Sequence, residues 1–389
     1  MSTPTERKLL PAWAIPLLQV AVIALTVLRP SVPLRLALTL IFANYVYVLL
    51  MHHSTGDGAV HDSTIGGVIG NAAYSVVVYA WLCDPVKDWH YRGEKGPSGT
   101  HISFSSKVYK VTCVIVNTRL IGWNNEVPNV PPATASRSHG EFLRHRLLRV
   151  LQCLLYIDLA QSYVHLQPLF SFQGTDAFPT GGKGVLLQFL CLFAWYVNVY
   201  ATMKLLHTAV AIVCVATGLF NGNPEDWRPA FGNWSDAYTL RRFWGRTWHQ
   251  FMRVLFRATG QTLVSTFGFK KGGWASSQTQ LYAAFFASGL IHTACDAMVG
   301  KEYIGTRMKF FMANAVAITF EDAVIGTARR LGIGAEAPAR WMKCIGYMWV
   351  AVWFYHACQP EMHYILPLGA AEEEVLPFSL VRLYAPAFV

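Results

Sequence analysis

The stretch FASGLIHTACDAMVG, from Phe286 to Gly300, carries His292 and Asp296 inside an apolar run. An aspartate at the centre of a lipid-spanning helix costs about 2.5–3.5 kcal/mol on insertion scales. Ionisable residues persist at that depth mainly where they line a cavity, pair with one another or do chemistry. Four residues apart, the two share a helix face. If the helix starts near Thr279, His292 lies roughly 20 Å along it, near or just past the membrane midplane. Two readings follow. In one, His292 and Asp296 satisfy each other or neighbouring helices and contribute only packing. In the other, a neutral imidazole in a water-poor tunnel accepts a proton from a substrate hydroxyl. Asp296 would then hold the tautomer, and the small Ser288 and Gly289 would leave room for substrate.

The elements that must hold this histidine are membrane helices. The 389 residues are 53% hydrophobic and 14% charged, against about 25% charged in soluble domains, and the mean hydropathy is +0.31. Apolar runs long enough to cross about 30 Å of hydrocarbon fall near 9–28, 33–51, 65–83, 148–168, 184–203, 279–298, 308–327 and 343–359. Few segments alternate with period two, which argues against a membrane β-barrel. The expectation is an all-α polytopic protein with about eight transmembrane helices, within a range of seven to nine. Residues 204–220 are also apolar, and extend the fifth span, bend back or cross again. Residues 1–28 read as a first anchor, since no small-x-small cleavage site follows the apolar run. No linker or repeat divides the chain, so 1–389 reads as one membrane domain.

The formal charge of +10 is distributed by loop. Loops 84–147, 221–278 and 328–343 hold 21 Lys and Arg, while 52–64, 169–183, 299–307 and the tail 359–389 hold four. Alternating sides with that bias place the basic loops in the cytosol and the acidic tail in the lumen. Arg7 and Lys8 fall on the wrong side for this rule. No nucleic-acid partner is implied. The eight cysteines are scattered, mostly inside apolar runs, and suggest neither a metal site nor a disulfide framework. The small-residue stretch GGVIG at 66–70 suits close helix packing.

Loop 221–278 contains Trp227, Trp234, Trp244 and Trp248 among arginines. The helical spacing in SDAYTLRRFWGRTWHQFMRVLF suggests an amphipathic helix lying at the interface. Ordinary membrane anchoring explains aromatics beside arginines, but not the density of Trp, His and Gly beside NPEDW. Glu321 and Asp322 form a second acidic site in a span, either as partners for Arg329 and Arg330 or as a polar tunnel lining.

Three stretches in order, NTRLIGWNNEVPNVPP (117–132), NPEDWRPAFGNWSDAYTLRRFWGRTWHQFMR (223–253) and SGLIHTACD (288–296), resemble the motifs of the wax synthase-like acyltransferases, a branch related to the membrane-bound O-acyltransferases. The resemblance runs from about residue 40 to 360. It implies a fold like that of the wider superfamily. It also implies acyl transfer, to terpenoid and meroterpenoid hydroxyls as acetate in fungal members, or to fatty alcohols in plant members. His292 stands where the superfamily places its catalytic base. FWGRTWHQ resembles a segment whose polar residue helps hold the acyl donor, which puts His249 beside Trp248 in that role. Here Gly245-Arg246 replaces an acidic residue, and His249 replaces an asparagine. NPEDW, from Asn223 to Trp227, is expected to shape the cytosolic mouth.

Transfer from coenzyme A to an alcohol requires a base, a polarised thioester carbonyl and exclusion of water. Arg241, Arg242 and Arg246 face the polyanionic donor in this reading. Acetyl-CoA, or another acyl-CoA, is the co-substrate, with no bound cofactor and no metal. The acceptor is a hydrophobic alcohol that enters from membrane lipid, and the compartment is the endoplasmic reticulum. No Ser or Cys stands in a recognisable nucleophile setting, so transfer is direct. A wax ester synthase is the nearest alternative. A transporter with a proton relay through His292, Asp296 and Glu321-Asp322 is another, although related halves are missing.

Overall fold

The computed structural model describes residues 7–94, 102–133, 138–167, 181–333, 338–365, 368–369 and 372–384. The first helices are α1 (Ala14–Leu28), α2 (Val32–His52) and α3 (Ala59–Val76), the last continuing as a π turn over Val77–Leu82. The short α4 (Pro85–Asp88) and α5 (Phe104–Val116) precede α6 (His139–Leu166) and α7 (Gly182–Thr217). A single turn, α8 (Leu240–Arg242), leads through a second π segment, Phe243–Thr247, to α9 (Arg253–Thr266). Then come α10 (Trp274–Val299), α11 (Thr306–Arg330), α12 (Arg340–Ala357), α13 (Gln359–Ile365) and α14 (Leu380–Tyr384). The only strands among the described residues are β1 (Lys8–Leu9) and β2 (His53–Ser54), paired in parallel.

Helices stand at all eight expected positions. Six are long and apolar enough to cross a membrane; α1 has 15 residues and α12 has 18. The apolar segment after the fifth span extends it, giving one 36-residue helix, α7. The basic loops meet at one end of the bundle, where Arg92 pairs with Glu225 and Arg119 binds the Pro229 carbonyl. At the other end Glu373 caps α3 through the Val60 amide. Arg7 there explains its own exception to the charge rule. Its guanidinium donates to the carbonyls of Ala297, Met298 and Val299, the end of α10 that attracts cations.

Packing around α10 is set by glycine. A Cβ on Gly66 would lie 2.6 Å from the Ala294 oxygen, and one on Gly70 2.8 Å from the Ile291 oxygen. Thus GGVIG brings the α3 backbone directly onto α10. On another face Gly289 admits Met308 of α11, whose sulfur would lie 2.4 Å from an added Cβ. The helix bearing His292 is therefore clamped by α3 and α11. By contrast, α7 packs along α6, and a cavity of about 2250 Å³ separates it from α10.

The amphipathic helix expected over 235–256 does not form as one element. Helix stops at Arg242, widens to the π segment, and gives way to a non-helical stretch at Trp248–Met252 before α9. This segment does not lie flat on the interface: Leu240 is buried in a core with Phe285 and Phe311, Trp244 packs against that core, and Phe243 is buried as well. Two features fix the break. Gly232 donates to Thr247 O at 2.9 Å, an approach that no larger residue permits, since its Cβ would meet the Arg246 oxygen. Glu321 on α11 accepts from the amides of Leu240 and Arg241 at 2.7 and 3.0 Å, capping the turn at its start.

Candidate active site

Seen along α10, the cavity wall includes Ser276, Gln280, Ala284, Ser288, His292 and Cys295, the three- and four-residue spacing of a single helix face. The helix begins at Trp274, earlier than expected. His292 therefore lies about 27 Å from its start, nearer the end where Arg7 binds. Its ring stacks on Phe311 with centroids 4.5 Å apart. Nδ1 is 3.9 Å from Cys295 Sγ, while Nε2 makes no hydrogen bond among the described residues.

Asp296 does not hold the imidazole. It is 0% exposed and bonds Arg307 twice, through the backbone amide at 3.1 Å and Nη1 at 3.2 Å. Arg307 also donates to Glu361 at 3.1 Å and Ser63 at 3.0 Å. The expected His292–Asp296 pair is replaced by an ion cluster that ties α10 to α11, α13 and α3. The reason is geometric: Arg307 enters at the first turn of α11, and a guanidinium is a stronger partner for a buried carboxylate than a neutral ring.

The second acidic site also has different partners from those expected. Glu321 caps α8 and accepts from Trp349 Nε1 at 3.0 Å, and Asp322 pairs with Arg241; neither meets Arg329 or Arg330. Of the three arginines proposed for the donor, Arg241 is thus committed to Asp322 and Arg242 to Asp236. Arg246 is exposed on the cavity rim and has no ion pair among the described residues. Arg253 and Arg257, which are not among the arginines expected to face the donor, also line the cavity. Among the described residues their guanidinium groups hydrogen-bond only to the carbonyls of Gly245 and Glu126.

The motif 223–253 supplies one wall. Trp227, Trp244, Trp248 and His249 all line the cavity. Trp244 is pinned by Nε1 to Asn314 Oδ1 at 3.0 Å. Asn223 is not part of the lining; its amide donates to Tyr91 Oη at 2.7 Å. Asp226, 1% exposed, takes Tyr91 and Arg92. NPEDW is therefore a fastener between basic loops, with only its tryptophan reaching the cavity.

The first motif fastens the second. Arg119, 2% exposed, donates to the Pro229 carbonyl at 2.6 Å, the Arg228 carbonyl at 2.5 Å and His207 Nε2 at 3.1 Å. Burial, with Arg146 and Arg228 nearby, pushes its pKa down to about 9. His207 on α7 stacks on Phe251 at 5.6 Å, and Phe251 on His249 at 5.0 Å. Burial first, and the Arg119 charge second, push His249 down to about 4, so it is neutral near pH 7. His207 could have been found by the signal that exposed His292, an ionisable residue inside an apolar run.

Residues 227–313 match the membrane bound O-acyl transferase family, and 138–216 match the aspirochlorine biosynthesis protein F C-terminal domain. The acetyltransferase ple2 of Rhodocybe pseudopiperita is 31% identical over 76% of this chain and 77% of its own length. The chain belongs to the membrane-bound O-acyltransferase family. The acetyltransferase eriL of Hericium erinaceus is 27% identical over 77% of each chain. The acetyltransferase sirH of Emericella nidulans is 28% identical over 94% of this chain and 85% of its own. No solved structure matches. The protein is thus an integral membrane acyltransferase, and the transporter alternative falls.

Proposed function

We propose that this O-acetyltransferase moves acetyl from acetyl-CoA to a hydroxyl of a terpenoid or meroterpenoid in secondary-metabolite biosynthesis. The observation that carries the reading is His292: a ring whose Nε2 has no partner among the described residues, in the wall of a largely apolar cavity that reaches the basic loops. The names of the fungal relatives support acetyl as the group transferred. As the acceptor oxygen bonds to the thioester carbon, His292 Nε2 takes its proton. The tetrahedral intermediate collapses, the C–S bond breaks, and the imidazolium returns the proton to the departing thiolate. Phe311 stacked on the ring keeps water from one face of the base.

The donor enters from the cytosolic side in this reading, its phosphates held by Arg246, Arg253 and Arg257. Its carbonyl lies between His292 and His249, with Trp248 and Ser288 in the walls. The acceptor enters from the bilayer of the endoplasmic reticulum. Transfer is direct, although Cys295 is closer to the base than the sequence suggested. A second reading, a longer acyl group, draws support from the cavity volume and from the O-Mevalon transferase yanI of Aspergillus niger, 31% identical over 65% of this chain.

Microsomes fed acetyl-CoA or palmitoyl-CoA with a terpenoid alcohol test the reading through CoA release. Acetyl-CoA is expected to be consumed, and His292→Ala to lower turnover about 10²–10⁴-fold with unaltered thermal unfolding. Cys295→Ala should retain turnover. Palmitoyl preference would replace the acetyl reading, undiminished His292→Ala turnover would remove the base, and a dead Cys295→Ala would indicate an acyl-enzyme.

A further inference from the structure

An acidic side chain inside a membrane helix is costly unless it has a partner or a task, and α6 carries one at Asp158. Asp158 and Gln161, one turn apart and each 3% exposed, find their partners in the C-terminal tail. Asp158 Oδ2 accepts from the amides of Leu380 at 2.9 Å and Val381 at 3.3 Å. Gln161 Oε1 accepts from those of Val375 at 2.9 Å and Leu376 at 3.2 Å. Just before them, Glu373 reaches the other wall of the cavity. Its two carboxylate oxygens each accept from the Val60 amide at 3.0 Å, in the first turn of α3. Gly58 provides the seat: its φ is +107°, and a Cβ there would lie 2.4 Å from the Glu373 carboxyl carbon. Glu373 and Val375 are thus bound to different walls, and two residues of chain span at most about 7 Å. The tail is a cross-tie between α3 and α6.

The tie lies over one end of the cavity. Ala59, Val60 and Ser63 line that end from α3, and Trp195 and Tyr196 line it from α7. Leu368 of the tail is also in the lining, and it shares an apolar cluster with Val60, Trp195 and Tyr303. This end is remote from the basic loops, where the proposed donor enters. We propose that the C-terminal tail is a strap that holds the remote end shut and so keeps water out of the reaction cavity while the thioester is bound. A cavity of about 2250 Å³ that takes CoA from one side becomes a hydrolase when water crosses it from the other. Water then replaces the alcohol. Its oxygen bonds to the thioester carbon, its proton passes to His292, the C–S bond breaks, and the imidazolium protonates the departing thiolate, leaving acetic acid and free CoA. Glu373 and Gln161 prevent this by holding the strap from opposite walls.

The inference rests on the proposed acetyl transfer, and the test separates the two. CoA release and ester formation from acetyl-CoA are followed with the full-length enzyme in detergent, with and without a terpenoid alcohol. Glu373→Ala should raise release without the alcohol about tenfold, the effect of one lost charge-assisted bond on the balance of closed and open strap. Ester formation should stay within about threefold of wild type. Gln161→Leu, which frees the tail from the other wall, should act in the same way. Adding His292→Ala to either variant should abolish the gain, because the same base activates the water. A second readout needs no turnover: Cys358 lines the cavity as a free thiol, and its labelling by a charged methanethiosulfonate, followed by peptide mass spectrometry, should quicken about tenfold in Glu373→Ala. Thermal unfolding of each variant confirms folding. If both folded variants release CoA no faster than wild type without the alcohol, the strap is refuted while acetyl transfer stands. A gain that survives His292→Ala refutes it as well. If wild type forms no ester yet Cys358 labels faster in Glu373→Ala, the closure stands and the acetyl reading fails.

Discussion

Around His292, helix meets helix through glycine, and the neighbouring charges of Asp296, Arg307 and Glu361 are all paired. Gly66 and Gly70 set α3 onto α10, Gly289 admits α11, and Asp296, Arg307, Glu361 and Ser63 close one hydrogen-bonded cluster. Around His249 the backbone runs through a π segment and a non-helical stretch, and His207, His249 and Gln250 each retain an unpaired atom. The first region resembles a finished core; the second resembles a receptor awaiting its ligand. The difference teaches where each task lies. A base must not move relative to the reacting oxygen, and saturated packing holds it still. A wall proposed to admit a long polar donor has to keep some hydrogen-bonding capacity unspent.

The contrast is most exposed to Arg307→Met. It leaves Asp296 and Glu361 buried together without their cation, and should cost about 3–5 kcal/mol of stability. Thermal unfolding in detergent reads this directly, and a variant as stable as wild type would abolish the distinction. Gly70→Ala comes next. Its methyl group meets Ile291 and Ala294, so a loss of about 1–3 kcal/mol from overpacking is expected, together with reduced turnover as α10 shifts. On the other wall, joint Arg253→Ala and Arg257→Ala substitution should raise KM for acetyl-CoA about tenfold while leaving kcat and unfolding temperature nearly unchanged. Added salt should shrink that gap; a kcat loss instead would make these arginines part of the saturated core.

The smallest effect is a pH dependence. Burial, with the Arg119 charge second, pushes the His249 imidazole down to about 4 from its ordinary 6.5. Between those values the unfolded chain binds the proton and the folded chain does not, so stability falls as pH drops from about 6.5 toward 4. His249→Asn should flatten that decline when unfolding is followed from pH 7.5 to 5. An equal slope in both proteins would assign the loss to other groups.

The helix positions were legible because hydropathy is a local signal, and the place of His292 in the cavity wall because a misplaced ionisable residue is another. So was the tight GGVIG contact. The partners of Asp296, Glu321 and Asp322 were not, since Arg307 and Arg241 reach them from other elements and sequence distance carries no record of that meeting. The break at Trp248 escaped because helical spacing in 235–256 is real, yet Gly232, outside the segment, decides where the chain can turn. Arg119 stood in plain view inside NTRLIGW, but its work is done on His207, 88 positions away.

The Arg7 clasp on α10 spans 291 positions of chain. During synthesis the Arg7 guanidinium therefore cannot find those carbonyls until residues up to Val299, more than three-quarters of this sequence, have been made. A bulky fusion placed ahead of Arg7 would obstruct this late step, whereas one at the opposite terminus would leave it alone.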